Sequence, residues 1–380
     1  MDFDYSEELL AIKKLCHDFI DKRVRPLVSE WDSDFDARVP KAIFEEMGEM
    51  GLLGLTTPEE YGGVNLGYKA ICVAIEESCR TARAGTACNL YSGANGSYSA
   101  PIMHYGTPEQ QAQYMPGVVS GKIQGAMAIT EPSGSSALQN MNTKAIPDGD
   151  NYIVSGQKIF ITRADTADFI ITIAKTPDDG PIALIIPADN PGMTVGRSEQ
   201  KMGLHGLGLN PVYYDNCVVP KSAQLGKLGE GLDVAKDSLY DARLYVAAAS
   251  VGCAQAAIEL AIEYSKGRML NGKALSSFQN TQFVLADAQT KVDAARLLVM
   301  RCADMMDKKK HETYMSSMAK YYASEVCGEV VDKCLQVFGG YGYCHDYDIE
   351  RIYRDVRVYR ILDGASEVHK RLISKWMNVR

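Results

Sequence analysis

Apolar residues recur at helical spacing over the first third of the chain, shift to short β-branched runs in the middle, and return to helical spacing towards the end. Leu9, Ile12, Cys16, Phe19 and Ile20 fall on one helical face, and Ser6 before Glu8 and Leu9 marks a helix start. A further helix carries Ile43, Met47 and Met50 and stops near Gly51 and Gly54; Pro58-Glu59-Glu60-Tyr61-Gly62-Gly63 has the composition of a loop. In the middle, Tyr152-Ile153-Val154 and the runs at 158–162, 169–173 and 182–186 are short and rich in β-branched residues. Asp148-Gly149-Asp150 and Asp178-Asp179-Gly180 punctuate them as turns. No helix-length segment lies between these runs, which predicts an antiparallel β-sandwich or barrel and not a doubly wound parallel sheet. Residues 246–266 are then nearly uninterrupted and dense in alanine, and 283–307 and 315–338 are further long helical stretches, predicting an up-down four-helix bundle. The predicted chain is α+β, mainly α: an α-helical domain over 1–120, a β domain over 121–228 and an α-helical bundle over 229–380.

Composition narrows the function. The chain has 380 residues, 46% hydrophobic and 23% charged, enough for two or three domains with a large core. A net charge of −8 disfavours nucleic acid and anionic membranes as partners, though an anionic ligand can still be held by a local cluster of Arg, Lys and backbone N–H groups. No apolar run long enough to cross a bilayer is apparent, and the acidic start Met1-Asp2-Phe3-Asp4 is unlike a secretory signal, so the expected address is the cytoplasm. Ten scattered cysteines without a CxxC pair are expected as buried thiols in a reducing compartment. The six histidines show no metal-ligand spacing, and no metal is expected.

Stock nucleotide motifs fail. Gly267-Arg268-Met269-Leu270-Asn271-Gly272-Lys273-Ala274 departs from a P-loop at its last position and follows a helix, and no strand-GxGxxG-helix unit occurs. Three other segments carry chemistry. Residues 126–136 read as a strand entering a Ser/Gly loop that exposes N–H and hydroxyl donors, suited to the anionic part of a cofactor; an ordinary polar loop has the same composition. Gln336-Val337-Phe338-Gly339-Gly340-Tyr341-Gly342-Tyr343 ends a long helix in glycines, which let backbone approach a bulky group or simply cap the helix. Tyr353-Arg354-Asp355 leads to Ile361-Leu362-Asp363-Gly364-Ala365-Ser366-Glu367-Val368, where an acid before a glycine at a helix start can point into a cavity or serve as an N-cap.

Together these segments resemble the acyl-CoA dehydrogenase family over essentially the whole chain. The family pattern T-E-P-G-x-G-S-D meets Thr130-Glu131-Pro132 with Ser136; K-x-(W/F)-I-T meets Lys158 with Phe160-Ile161-Thr162; Q-x-x-G-G meets Gln336 with Gly339-Gly340; Y-R-D meets Tyr353-Arg354-Asp355; and E-G-T-S-(E/Q)-I meets Asp363 to Val368. The resemblance implies FAD, with Met127, Ala128, Ile129 and Thr130 against the flavin ring, Phe160 and Thr162 covering and bonding it, and Ala365 and Glu367 near it. Ser136 would serve both flavin and CoA. Arg268 and Gln279 would bind the cofactor's pyrophosphate and adenosine, as would Gln336, Gly339 and Gly340 from a neighbouring subunit, so a homotetramer, a dimer of dimers, is implied. Arg243 would lie beside the CoA channel, Tyr91 at the acyl-pocket floor, and Leu362 and Gly364 against the substrate. Asp363 would remove the α proton while hydride passes to flavin N5, with the Asp363 N–H bonding the thioester oxygen. Electron-transfer flavoprotein is the implied acceptor.

Departures from the family point to an unusual substrate. Aspartate replaces the usual glutamate, withdrawing the carboxylate by roughly 1.3 Å; a misplacement near 1 Å can cost on the order of a hundredfold in rate. The family's alternative base position is Ala242 here, leaving Asp241 as a second candidate. Leu362 replaces an aromatic, Ala365 a threonine, and Asn271 a phenylalanine. These changes predict a short, branched, cyclic or aromatic acyl-CoA. The alternatives are the reverse, enoyl-CoA-reducing direction; a nitroalkane-oxidase-like enzyme, whose arginine position is Lys370 here; and a non-catalytic, DNA-associated relative.

Overall fold

The computed structural model describes residues 4–134, 140–310 and 312–379. Ser6 caps α1 (Glu7–Phe19) by accepting the Leu9 N–H, as the sequence pattern requires, and a π-turn over Ile20–Val24 leads into α2 (Arg25–Ser33). The helical layer continues with α3 (Lys41–Glu49), α4 (Gly67–Ala82), the short α5 (Asn89–Ser92), α6 (Ser99–Tyr105) and α7 (Pro108–Val119). A capping box between Thr107 and Gln110 opens α7.

Strands follow: β1 (Gly125–Ala128), β2 (Lys144–Asp148), β3 (Asn151–Thr162), β4 (Phe169–Thr176), β5 (Gly180–Pro187), β6 (Met193–Val195), β7 (Leu209–Pro220) and β8 (Gln224–Leu225). They form one sheet in the order β6-β7-β3-β2-β4-β5-β8, with β1 beside β4. Most pairs are antiparallel, but β1 and β2 run parallel to β4, which the short-run pattern did not anticipate. β4 and β5 are buried on both faces. Ile171, Ile173 and Ile185 join the core shared with the helices, whereas Ile170, Ile182, Leu184 and Ile186 fill the interior of the β domain. That double burial is why these strands read as continuous apolar runs.

The last third contains α8 (Gly231–Gly267), a two-residue hairpin of β9 (Met269–Leu270) and β10 (Lys273–Ala274), α9 (Gln279–Asp307), α10 (Thr313–Phe338), α11 (Asp348–Val356) and α12 (Ser366–Trp376). The P-loop look-alike is this hairpin: Asn271 and Gly272, at φ 49° and 76°, form its turn. α8 starts fifteen residues before the predicted 246. By length and composition it could cross a membrane, contrary to the sequence expectation. However, 83% of its most apolar window is buried inside the fold, against α4, α9 and α10, so it is a core helix.

Candidate functional site

Asp363 lies in the turn between the short helix Arg357–Arg360 and α12. Its backbone is left-handed, at φ 53°, and Gly364 follows at φ 105°. Aspartate tolerates this region better than longer acids do, and residues held there mark sites whose surroundings impose the conformation. Those surroundings are cationic. Arg243 Nε on α8 donates to the Asp363 carbonyl at 3.3 Å, and Lys320 Nζ on α10 donates to the Gly364 carbonyl at 2.7 Å. Both side chains are buried. The Asp363 carboxylate makes no hydrogen bond or ion pair among the described residues. Burial pushes its pKa up, while the charges of Lys320 and Arg243 oppose the rise. The result is an acid held through its backbone with its carboxylate left free to take a proton.

His369, one turn into α12, is fully buried. Its ring lies where a Cβ on Gly364 would come within 3.2 Å, so a larger residue at 364 would press on it. Neither ring nitrogen has a side-chain hydrogen-bond partner among the described residues, and burial with the neighbouring Lys320 and Arg243 charges lowers its pKa to about 3, against a smaller opposing effect of the Gly364 backbone. It is neutral at physiological pH.

The other walls come from the two preceding domains. Burial, and secondarily the Asp363 charge, raise the pKa of the Cys88 thiol, so Cys88, whose Sγ donates to the Tyr245 carbonyl at 3.7 Å, lies within electrostatic reach of the acid. The next residue, Asn89, accepts a bond from Arg163 Nη1 at 3.3 Å through its carbonyl, and Arg163 directly follows Thr162. Asp363 therefore stands where the three domains meet. On the β side, the Thr130 carbonyl accepts the Ile159 N–H at 2.9 Å, which brings Met127, Ala128, Ile129 and Thr130 against the end of β3. Phe160 has φ 58°, unusual for a bulky residue, and is 56% exposed; Thr162 is also exposed. An aromatic ring held strained and uncovered fits a site that receives another planar group. Beneath it, Lys158 Nζ donates to Glu131 Oε1 at 2.9 Å and to the Ile129 carbonyl at 3.1 Å, both side chains being buried. Glu131 also accepts the N–H groups of Asn142 and Thr143; burial works against these bonds, yet its pKa falls to about 2. The T-E-P and K-x-F-I-T signatures are thus two ends of one buried ion pair. Ser136 lies outside the described residues.

The phosphate-binding candidates converge elsewhere. Arg268, Gln336, Gly339 and Gly340 line one groove of about 390 Å³ with Tyr264 and Tyr341. A Cβ added at Gly339 or Gly340 would meet no protein atom, so the backbone there is bare towards the groove. Bare backbone plus a guanidinium fits the anionic part of a dinucleotide. Gln279 is exposed at the start of α9. This groove is at the far end of α10 from Lys320, sixteen residues away or about 24 Å along the helix.

The Tyr91 hydroxyl bonds Ser78 at 2.7 Å and Cys16 at 3.5 Å, inside the helical core. Arg243 lies behind the Asp363 turn, bonded to its carbonyl. Leu362 is half-buried, Ala365 heads α12 without a side-chain cap, and Glu367 is exposed in its first turn. Asp241 is buried with its pKa raised to about 7 by burial and by Asp237; the Tyr68 hydroxyl bonds it at 3.4 Å, and it abuts the turn at Gly96. Sequence reasoning missed Lys320 and His369. The available signal was a lysine on the buried face of α10, in line with Ser316, Ala323 and Cys327. Asp32, His345 and Glu350 gather within 4.8 Å, but Arg354 already bonds both carboxylates.

A helical layer, a β domain and a helical bundle, with a half-buried acid on a left-handed turn, a strained and exposed aromatic on the β domain and a glycine-lined groove, define a fold of the flavoprotein oxidoreductase class. Residues 6–122, 126–217 and 229–378 match the N-terminal, middle and C-terminal domains of acyl-CoA dehydrogenase respectively. The chain belongs to the FAD-dependent acyl-CoA dehydrogenase family. It is 37% identical to the CarC subunit of the caffeyl-CoA reductase-Etf complex of Acetobacterium woodii, covering 97% of this chain and 98% of that protein. It is also 37% identical to the 3-(aryl)acrylate reductase of Clostridium sporogenes, with the same coverage. The structure of butyryl-CoA dehydrogenase from Megasphaera elsdenii superposes with a TM-score of 0.94, at 32% identity over the full length of both chains.

Proposed function

We propose that the protein catalyses α,β-oxidoreduction of an acyl-CoA thioester, with Asp363 as the group that exchanges the α proton. Bound FAD supplies the hydride acceptor or donor. The observation that carries the reading is the Asp363 carboxylate itself: half-buried, without a bonding partner among the described residues, on a left-handed turn bonded through its backbone to Arg243 and Lys320, near the meeting of the three domains. Burial raises its proton affinity towards that of an acidified α carbon, and substrate binding expels further water. The Asp363 N–H is proposed as the donor to the thioester oxygen, where it stabilises developing enolate charge. The proposed acyl group is short, branched, cyclic or aromatic. Relatives named as aryl-acrylate and caffeyl-CoA reductases favour the aromatic class, and with it a second reading in which the physiological direction is reduction of the enoyl thioester. Electron-transfer flavoprotein is the proposed redox partner. A homotetramer is proposed because the Asp363 site and the phosphate groove occupy opposite ends of α10, so that each groove serves the flavin of a neighbouring subunit. The nitroalkane-oxidase alternative is disfavoured by Lys370, which is exposed and lies 5.0 Å over the Tyr321 ring.

The test is anaerobic titration of the yellow holoprotein with straight, branched, cyclic and aromatic acyl-CoA thioesters. Bleaching of the flavin band by one class identifies the substrate. Reoxidation of the dithionite-reduced protein by the matching enoyl-CoA, faster than the forward bleach, assigns the reductase direction. A spectrum untouched by every thioester but bleached by a nitroalkane overturns the proposal.

A further inference from the structure

Lys320 is fully buried, yet among the described residues its ammonium has only one hydrogen-bond partner, the Gly364 carbonyl at 2.7 Å. Such a group is costly to retain in a helix core unless its charge is used. Four elements supply the charged and titratable groups around it: Arg243 from α8, Glu325 from α10 itself, Asp363 from the turn, and Glu367 and His369 from α12. His369 is neutral, Glu325 is engaged by the Ser366 hydroxyl at 2.5 Å and by Arg360 at 3.6 Å, and Glu367 is exposed. The anion left to Lys320 is Asp363, half-buried on the turn whose next carbonyl Lys320 bonds. Arg243 shares the task from the other side, but through the Asp363 carbonyl.

We infer that Lys320 is a positioning residue for the base, locking the Asp363-Gly364 turn through the Gly364 carbonyl and bringing a buried cation to the turn that carries the carboxylate. The two effects are separable. The hydrogen bond fixes where the carboxylate points, because Gly364 at φ 105° has no preferred conformation of its own to hold the turn. The charge counters burial, which otherwise drives the carboxylate to its neutral form and removes the base. Burial also lowers the Lys320 pKa to about 8, with Arg243 adding to the fall and Asp363 opposing it, so the pair weakens together above that pH.

The inference rests on Asp363 as the proton-exchanging group, and the experiment separates the two claims. Holoenzyme is incubated with a saturated acyl-CoA in D2O, and deuterium uptake at the α carbon is followed against pH; this reads proton transfer without net electron transfer. Asp363→Asn is the control for the base, and exchange retained in that variant defeats the base assignment. Lys320→Arg keeps donor and charge, Lys320→Gln keeps a donor without charge, and Lys320→Met removes both. Removing a cation raises a carboxylate's pKa, so the acid limb of the exchange profile moves to higher pH by about one unit in Lys320→Gln and stays in place in Lys320→Arg. KM for the thioester changes less than threefold while kcat falls at least tenfold at pH 6. If Lys320→Met does not fold, the Gln and Arg variants carry the comparison. An acid limb unmoved in Lys320→Gln, with exchange still lost in Asp363→Asn, overturns the role of Lys320 and leaves the base assignment standing.

Discussion

The proposed chemistry of this chain hangs on a few residues, buried or half-buried, whose charge states are set by neighbours as well as by solvent. Asp363 is the first. Replacing it with Asn keeps shape and polarity but removes the proton acceptor, and general-base loss costs on the order of 10²- to 10⁴-fold. Single-turnover bleaching of the flavin band should slow by that factor while thioester affinity stays within a few-fold; a loss below tenfold would move the role to another carboxyl, with buried Asp241 the next to test. His369 makes a prediction about stability. Its folded pKa is about 3, and the unfolded value is near 6.5. Between these values the unfolded chain binds a proton that the folded chain refuses. The contribution of His369 is therefore intact above pH 6.5 and is lost as pH falls towards 3, by up to about 1.4 kcal/mol per pH unit. In thermal melts, His369→Gln should show a shallower loss of Tm than the parent from pH 6.5 to 4. Parallel curves would mean that the imidazole is protonated inside the fold.

At the scale of elements, the signature motifs act as joints. Lys158 ties the end of β3 to the turn after β1, and its only carboxylate partner among the described residues is Glu131. Lys158→Met would leave Glu131 buried without its counter-ion, held by N–H groups, and losing one partner of a buried ion pair costs about 3–5 kcal/mol in comparable pairs. The expected result is a lower Tm and loss of bound flavin on gel filtration, with flavin retention in Lys158→Met counting against the joint. The glycine groove predicts the opposite pattern. A Cβ at Gly340 meets no protein atom, so Gly340→Val should leave the Tm of flavin-stripped protein unchanged. It should nonetheless lower flavin affinity at least tenfold in a reconstitution titration; unimpaired reconstitution would remove the groove from the cofactor site. These elements also show what a sequence pattern can and cannot reveal. The α1 cap, the β-branched runs of β3 and the apolar run of α8 from Val246 were legible because capping and burial each leave a local signal in residue type and spacing. The first fifteen residues of α8 were not, because Asp233, Lys236, Asp237, Asp241 and Arg243 interrupt that signal. Two of them, Asp241 and Arg243, are buried there, and Arg243 belongs to the site. Site-building residues erase the pattern that would have located them.

Across the whole molecule, what holds the three domains in register is the Y-R-D motif, which the sequence displayed but could not explain, since its partners lie 150 to 320 residues away. Arg354 on α11 donates to both carboxylate oxygens of Asp32 on α2, at 2.9 and 2.6 Å, and also bonds Glu350. His205, just before β7, donates to the same Asp32 at 2.9 Å, so all three domains meet on one carboxylate. Asp355 accepts the N–H groups of Leu204 at 2.6 Å and Gly85 at 2.8 Å, fixing the segment that presents Cys88 and Asn89 to the site. The ionic part of this joint has a defined pH response. Burial works to raise the Asp32 pKa, but the bonds from His205 and Arg354 hold it well below the ordinary carboxylate range. Its contribution is therefore present above pH 4 and is lost as pH falls further; that of His205, whose pKa is raised chiefly by the bond to Asp32, is full below about pH 6.5 and is lost as pH rises through its folded value. Removing the guanidinium in Arg354→Met leaves Asp32 and Glu350 facing each other without it, which should cost about 3–5 kcal/mol at pH 7. Acidification lets one of the two carboxylates take a proton in the variant at little cost, while the parent begins to lose its own ion pair. The Tm gap between parent and variant should therefore narrow from pH 7 to pH 4. A gap that stays constant over that range would show that Arg354 joins the domains by packing alone, and that the charges on Asp32 and Glu350 contribute nothing to holding the site together.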